Sequence, residues 1–230
     1  MLPWLDPNDD SAPFPTLDSA LKEPDGLLAA GGSLSPQRLL NAYRSGIFPW
    51  FDEEQPILWW SPDPRMILKP KEVYLSRSLK KVIKSKQFNC TFDKAFNDVI
   101  LACSAAREGQ EGTWITTSMI DAYETLFKLG HAHSIEVWST DRLVGGLYGV
   151  AIGQVFFGES MFSLESNASK VGFAFLCQQL VEWGYRMIDC QVHSKHLESL
   201  GAATISRDEF AQQLELYCPE ETHNNAWLID

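Results

Sequence analysis

The chain has 230 residues, 45% of them hydrophobic and 12% aromatic, with eight Trp; this composition excludes a disordered chain and fits one large domain or two small ones. A net charge of −11 excludes broad nonspecific nucleic-acid binding, and five scattered cysteines without a Cys-x-x-Cys pair point to reduced thiols rather than a disulfide framework. No apolar run approaches the roughly 18 residues that span a bilayer, and the start Met1-Leu2-Pro3-Trp4-Leu5-Asp6 lacks the basic region and apolar core of a signal peptide, so a cytoplasmic protein with no membrane role is expected.

Residues 1–16 contain four prolines and three aspartates and read as an irregular lead-in. Pro24-Asp25-Gly26 is a turn into a short apolar run that ends at Gly31-Gly32. Ser35-Pro36 predicts a helix to about residue 45: Ser35 suits the cap, Pro36 the first helical position, and Gly46 the stop. The next segment concentrates aromatics between prolines, from Ile47 to Phe51 and from Leu58 to Trp60. A boundary is expected near residues 62–70, with a small N-terminal subdomain over 1–62 and a larger C-terminal domain over 63–230.

Residues 75–86 predict an amphipathic helix with Leu75, Leu79, Val82 and Ile83 on one face and Arg77, Lys80, Lys81 and Lys84 on the other. From Arg65 to Lys86 there are eight basic residues against one acid, a local +7 that leaves −18 for the rest of the chain. Such a face is either simply solvated or a contact for a phosphate backbone. Residues 93–106 predict a second helix, and 112–115 a turn or short strand. Thr117 or Ser118 is expected to cap a helix over 119–129 that Gly130 ends.

The pattern then turns to strands. Residues 134–138, 143–151 and 154–158 predict an antiparallel meander of three strands. A long helix over 167–183, a strand over 187–192 and a short helix over 194–200 follow. Ser206-Arg207-Asp208-Glu209 is a capping-box signature for a last helix to about residue 217, and the acidic tail from Pro219 is expected to be loosely held. The order predicts an α/β (α+β) fold with a mixed, mainly antiparallel sheet. It is compatible with an acetyltransferase-like (GNAT-type) topology, in which two neighbouring strands open into a cleft for the acyl donor.

Phosphate-binding Gly-Lys-Ser/Thr loops, His-Glu-x-x-His and Gly-x-Ser-x-Gly are absent from the sequence. His193-x-x-His196 near Cys190 lacks an evident fourth zinc ligand, and a cysteine in an apolar strand reads as core. The start of the long helix, Ser163 to Ala168, has no glycine to cradle a pyrophosphate, and Glu165 would repel one, which disfavours acyl-CoA as donor.

Three polar residues remain in otherwise apolar strands: Glu159, Asp189 and Gln191. Each either bonds neighbouring backbone and supports the sheet or lines a cleft. Asp189 and Gln191 are two apart and share a strand face. Together they could orient an amine nucleophile, the carboxylate stabilising an ammonium and the amide carbonyl holding the amine as it loses its proton. Trp50, Trp59, Trp60 and Trp114 lie in Pro- and Gly-rich turns, where indoles could stack on a base for about 1–3 kcal/mol each.

These motifs resemble the leucyl/phenylalanyl-tRNA–protein transferases. The matching segments are Glu23-Pro24-Asp25-Gly26-Leu27-Leu28-Ala29, Gly46-Ile47-Phe48-Pro49-Trp50-Phe51, Ile57-Leu58-Trp59-Trp60-Ser61-Pro62-Asp63-Pro64-Arg65 and Gly112-Thr113-Trp114-Ile115-Thr116. His131-Ala132-His133-Ser134-Ile135-Glu136-Val137-Trp138, Gly158-Glu159-Ser160-Met161-Phe162-Ser163 and Ile188-Asp189-Cys190-Gln191-Val192 complete the set, in the expected order between about Leu21 and Gly201.

The resemblance implies transfer of Leu or Phe, with Met as a further candidate, from aminoacyl-tRNA to the α-amino group of proteins beginning with Arg or Lys. The product is a signal for N-end-rule degradation. Ester aminolysis is downhill, so no cofactor, ATP or metal is implied; aminoacyl-tRNA is a co-substrate, and a monomer is the expected state. By the same resemblance Asp189 and Gln191 activate the amine and Glu159 orients the reacting ends. Trp50 and Trp114 stack on the terminal adenosine beside Phe156. Leu147, Met161, Phe173, Leu176, Leu180 and Ile188 form the side-chain pocket, and Arg77, Lys80, Lys81 and Lys84 meet the acceptor stem. Two other readings compete: a tRNA-binding module without catalysis, which gives Asp189 and Gln191 no role, and an acyl-CoA N-acyltransferase.

Overall fold

Short apolar segments between prolines pair into a small first sheet. In the computed structural model, which describes residues 2–105, 115–223 and 226–228, β1 (Trp4–Leu5) lies parallel to β2 (Leu27–Gly31). After α1 (Pro36–Arg44) come β3 (Phe48–Pro49) and β4 (Leu58–Trp60), giving the order β1-β2-β4-β3. The Oγ of Ser35 accepts the Arg38 N–H at 3.1 Å, as the sequence predicts. Arg38 itself is fully buried. Its guanidinium donates to the carbonyls of Ala12 and Asp9 and lies 5.0 Å from the Phe14 ring, which ties the proline-rich lead-in to α1.

The second sheet begins with β5 (Arg65–Leu68). It is followed by α2 (Arg77–Ser85), β6 (Asn89–Phe92), α3 (Phe96–Ser104), α4 (Thr117–Lys128), β7 (Ala132–Ser139), β8 (Arg142–Ile152) and β9 (Val155–Ser163). The chain continues through α5 (Ala168–Glu182), β10 (Met187–Gln191), α6 (Lys195–Glu198), β11 (Ala203–Ile205) and α7 (Arg207–Tyr217). The strand order is β11-β5-β10-β9-β8-β7-β6, and within this sheet only β9 and β10 run parallel. The fold is mixed α+β, with the expected meander as β7-β8-β9.

Several local expectations are corrected. α2 starts at Arg77 because Ser76 takes the cap, and Ile83 is 38% exposed instead of packed. α3 starts at Phe96, since Asp93 is engaged with the backbone N–H of Ser134 and the ring of His133. Thr116, one residue earlier than expected, caps α4. β5, β6 and β11 are only three or four residues long, too short to show an alternating pattern.

Side chains alternate across β9, so Val155 and Phe157 join a cluster with Tyr43, Phe48, Tyr123 and Phe210, while Phe156 joins Phe173, Leu176, Leu180 and Ile188. α5 sits close on the second of these faces. A Cβ on Gly172 would lie 2.7 Å from Cγ2 of Val137, and one on Gly145 would lie 2.8 Å from Cβ of Ala168.

The β9–β10 pairing runs from Met187↔Val155 to Asp189↔Phe157 and stops, while β9 continues along β8 to Ser163. The two strands therefore part, as a cleft-forming fold requires. Both carry a register shift at that level. β9 spends two steps, Gly158 to Ser160, against one step of β8, and β10 spends two, Asp189 to Gln191, against one step of β5. Glu159 and Cys190 are thus the inserted residues of two bulges, which locally bend a strand and re-aim its side chains.

Gly172→Ala tests the close seat of α5. Alanine favours an isolated helix by about 1 kcal/mol over glycine, but overpacking against Val137 costs about 1–3 kcal/mol. Urea unfolding is expected to show net destabilisation that Val137→Ala in the same chain partly relieves.

Candidate active site

A carboxylate placed in an apolar strand needs a partner, and Asp189 has one that sequence spacing does not reveal. Arg65 donates through Nε to Oδ1 at 2.8 Å and through Nη2 to Oδ2 at 2.7 Å, with both side chains essentially unexposed. The guanidinium also donates to the Gly46 carbonyl at 3.1 Å and lies between the Phe48 and Phe210 rings, 4.7 and 4.6 Å from their centroids. This geometry satisfies a bidentate charge pair on every side. Asp189 Oδ1 further accepts the backbone N–H of Gln191 at 2.9 Å. The carboxylate is therefore occupied within the protein. It holds the bulge that presents Gln191, whose φ of +62 is rare for a residue with a side chain.

From that position the Gln191 amide nitrogen donates to Oε1 of Glu159 at 2.9 Å. Glu159 also accepts from the Tyr43 hydroxyl at 2.7 Å and the Tyr123 hydroxyl at 2.8 Å, and the two phenols touch each other. Burial raises the Glu159 pKa to about 7, and the two tyrosines oppose that rise by donating to the carboxylate. Burial, and then the Glu159 charge, push both phenols well above their usual value, so they remain protonated donors. With its nitrogen committed to Glu159, the Gln191 amide has its carbonyl oxygen left to accept from a substrate.

Glu159 and Gln191 stand at the wall of a cleft of about 970 Å³. Leu147, Phe156, Met161, Phe173 and Ile188 supply apolar lining, and Trp50, 42% exposed, lies at its edge. The Trp50 ring is braced by Trp60, 5.6 Å away, whose indole N–H donates to the Trp50 carbonyl at 2.6 Å. An apolar pocket with a few convergent polar groups is the usual form of a small-ligand site.

The structure thus brings together Glu159, Gln191, Trp50, Phe156, Leu147, Met161, Phe173 and Ile188. Leu176 and Leu180 are fully buried in the same apolar cluster and stand behind the lining. Trp114 lies outside the described residues. Trp59 is core, its indole donating to the Gly31 carbonyl at 2.8 Å, so it offers no stacking surface. Arg77, Lys80, Lys81 and Lys84 are exposed on α2, whereas Arg65 is buried and neutralised and leaves the basic patch. Cys190 lines the cleft, but burial and then Asp189 push its thiol far up, which keeps it protonated and unfit as a nucleophile. Among the described residues no group of three or more His, Cys, Asp or Glu is placed to hold a metal ion.

Sequence reasoning missed Arg65, Tyr43 and Tyr123. Arg65 carried a signal, since it opens the apolar run Met66-Ile67-Leu68 just as Asp189 interrupts another. The tyrosines carried none, because each occupies a helix position that any large apolar side chain could fill.

Comparison with known proteins bears on this site. A family model described as leucyl/phenylalanyl-tRNA protein transferase matches residues 67–215, and one described as the N-terminal domain of that transferase matches residues 32–63. A leucyl/phenylalanyl-tRNA–protein transferase of Pseudomonas syringae pv. tomato is 59% identical over 214 residues, covering 93% of each chain. That of Methylococcus capsulatus is 54% identical over 227 residues, covering 99% of this chain and 97% of its own. Among solved structures, a GCN5-related N-acetyltransferase from Kribbella flavida is 10% identical with a TM-score of 0.37, over 74% of this chain and 61% of its own.

Asp189→Ala strands the Arg65 guanidinium in the core and is expected to cost about 3–5 kcal/mol in denaturant unfolding. Arg65→Met with Asp189→Leu is expected to cost less than either single change, since no charge is left unpaired. Glu159 gives a pH signature. Its folded value of about 7 exceeds the ordinary 4.5, so the folded chain binds the extra proton and the resulting stability is lost as pH rises through about 7. Subtracting the stability of Glu159→Gln from that of the unaltered protein should give a difference that falls from about pH 4.5 to about pH 7 and is level above that.

Proposed function

The chain belongs to the leucyl/phenylalanyl-tRNA–protein transferase family, an aminoacyltransferase family, and from that premise we propose how its cleft joins the two substrates. The enzyme passes the aminoacyl group of a tRNA to a protein. Its finer specificity, on this reading, is for Leu or Phe as the donor residue and for acceptors whose first residue is Arg or Lys, marking them for N-end-rule degradation. The acidic remainder of the chain suits a cationic acceptor terminus.

The observation that carries the reading is the Glu159–Gln191 contact at 2.9 Å, set beside an apolar pocket where two parallel strands part. The donor ester's side chain enters that pocket against Leu147, Met161, Phe173 and Ile188. The terminal adenine stacks at Trp50, with Phe156 close by. The acceptor amine attacks the ester carbonyl: a C–N bond forms, the C–O bond to the terminal ribose breaks, and one proton passes from the amine to the departing ribose oxygen.

Gln191 is the group that meets the amine. Its carbonyl oxygen accepts an N–H and so fixes the lone pair toward the ester carbon, a positioning contribution. An amide is too weak a base to keep the proton. Glu159 holds the amide by its nitrogen, and Tyr43 and Tyr123 hold Glu159. Asp189 acts on Gln191 through the backbone and not on the amine, which revises the pairing that sequence spacing suggested. The exposed Arg77, Lys80, Lys81 and Lys84 contact acceptor-stem phosphates.

The deciding assay mixes radiolabelled leucyl-tRNA, a peptide beginning with Arg, and the protein. Label in the peptide is expected; intact tRNA binding without transfer would make the chain a binding module. In that assay Gln191→Ala should lower kcat by about a hundredfold while KM for aminoacyl-tRNA changes little. Lys80→Glu with Lys84→Glu should weaken use of full tRNA and flatten its salt dependence, yet spare a short aminoacyl-adenosine donor. Equal losses with both donors would make α2 a structural helix only.

A further inference from the structure

The acidic tail, expected to be loose, packs one partly buried indole, that of Trp227, against the core. Trp227 stacks on the His133 imidazole, 4.0 Å between centroids and 6° between planes, and its indole N–H donates to the Tyr185 hydroxyl at 2.8 Å. Phe92 and Trp183 stand beside it at 5.6 and 4.8 Å. The segment leading there is anchored as well. The His223 N–H donates to the Trp183 carbonyl at 3.1 Å, and the Gln154 side chain donates to the Glu221 carbonyl at 3.1 Å.

The remaining neighbour of Trp227 is Phe156, 5.7 Å away and inclined by 29°. Phe156 lines the cleft and is itself fully buried. The tip of its ring lies over Gly149, where a Cβ would come within 2.6 Å of Cζ. The ring therefore has its tip against a glycine on β8 and the indole of Trp227 stacked beside it. Packed interiors shift little while such neighbours are in place, and relax into space when one is emptied.

We propose that Trp227 is a specificity-determining positioning residue: stacked against Phe156, it fixes that ring as a wall of the aminoacyl pocket and so sets the size of donor side chain the pocket accepts. The inference rests on the reading of this cleft as the aminoacyl site. Trp227 touches no substrate. It acts by denying Phe156 the space into which it would retreat from a bulkier side chain.

The test compares kcat/KM for phenylalanyl-tRNA and leucyl-tRNA in one assay. Trp227→Ala is expected to raise the Phe-to-Leu ratio about tenfold, mainly through KM, the scale on which apolar pockets discriminate. Trp227→Phe, which keeps a planar ring, should stay within about twofold of the original ratio. Because the effect passes through Phe156, Phe156→Ala with Trp227→Ala should give the same ratio as Phe156→Ala alone. If the alanine variant does not fold, Trp227→Leu replaces it with the same expected direction. A folded variant that loses thermal stability but keeps the original ratio overturns the proposal, as do additive effects in the double variant. Failure of the unaltered protein to transfer either residue would instead overturn the reading of the cleft itself.

Discussion

The pairing of Arg65 with Asp189 ties together, at one buried point, parts of the chain that are far apart in sequence. Its guanidinium binds β10 through the carboxylate, the turn after α1 through the Gly46 carbonyl, and α7 through the face of Phe210. Burying two charges brings a desolvation cost of several kcal/mol per ion, which the Coulombic attraction need not exceed. Two apolar residues would stabilise a core at least as well. What they could not do is accept the Gln191 N–H and so fix a bulge with the amide facing Glu159. The pair is best understood as a device for geometry.

That geometry explains why the site consists of exceptions to local rules. Gln191 has a backbone conformation that glycine would adopt more easily, Glu159 is a carboxylate enclosed by phenols, and both neighbouring strands abandon their register at the same level. Each feature costs stability in isolation. Together they satisfy one another: the bulges bring the two side chains within bonding distance, and the hydrogen bonds between them hold the bulges. The tyrosines extend the arrangement into the N-terminal segment and α4.

Much of this was legible in the sequence. The meander, the long helix and the returning strand follow from periodicity and turn residues, and caps such as Ser35 and Ser206 fall where expected. Glu159, Asp189 and Gln191 stood out because polar groups in apolar strands demand an account. The partners of those groups were hidden for a physical reason. Hydrogen bonds between residues far apart in sequence leave no periodic trace, and a tyrosine facing a carboxylate has the same pattern as one packed among leucines. β5 and β6 were missed because four residues cannot display an alternation. The tail's one anchor was hidden as well, because an acidic composition conceals a single indole that finds a stack on His133.

The long span of these contacts has a consequence for biosynthesis. Arg65 and Asp189 are 124 residues apart, and Tyr43 and Glu159 are 116 apart. At roughly 5–20 residues per second, a ribosome needs roughly 6–25 s between making the first of such partners and the second. During that interval Arg65 stays hydrated, and β5 lacks both of the strands it pairs with, since β10 and β11 come later in the chain. Contacts of such long range also slow folding, because loop closure must precede any gain from them. A nascent chain that stops short of β10 therefore lacks both the Arg65–Asp189 pair and the Glu159–Gln191 contact, and one that stops short of α7 lacks the Phe210 face against the guanidinium.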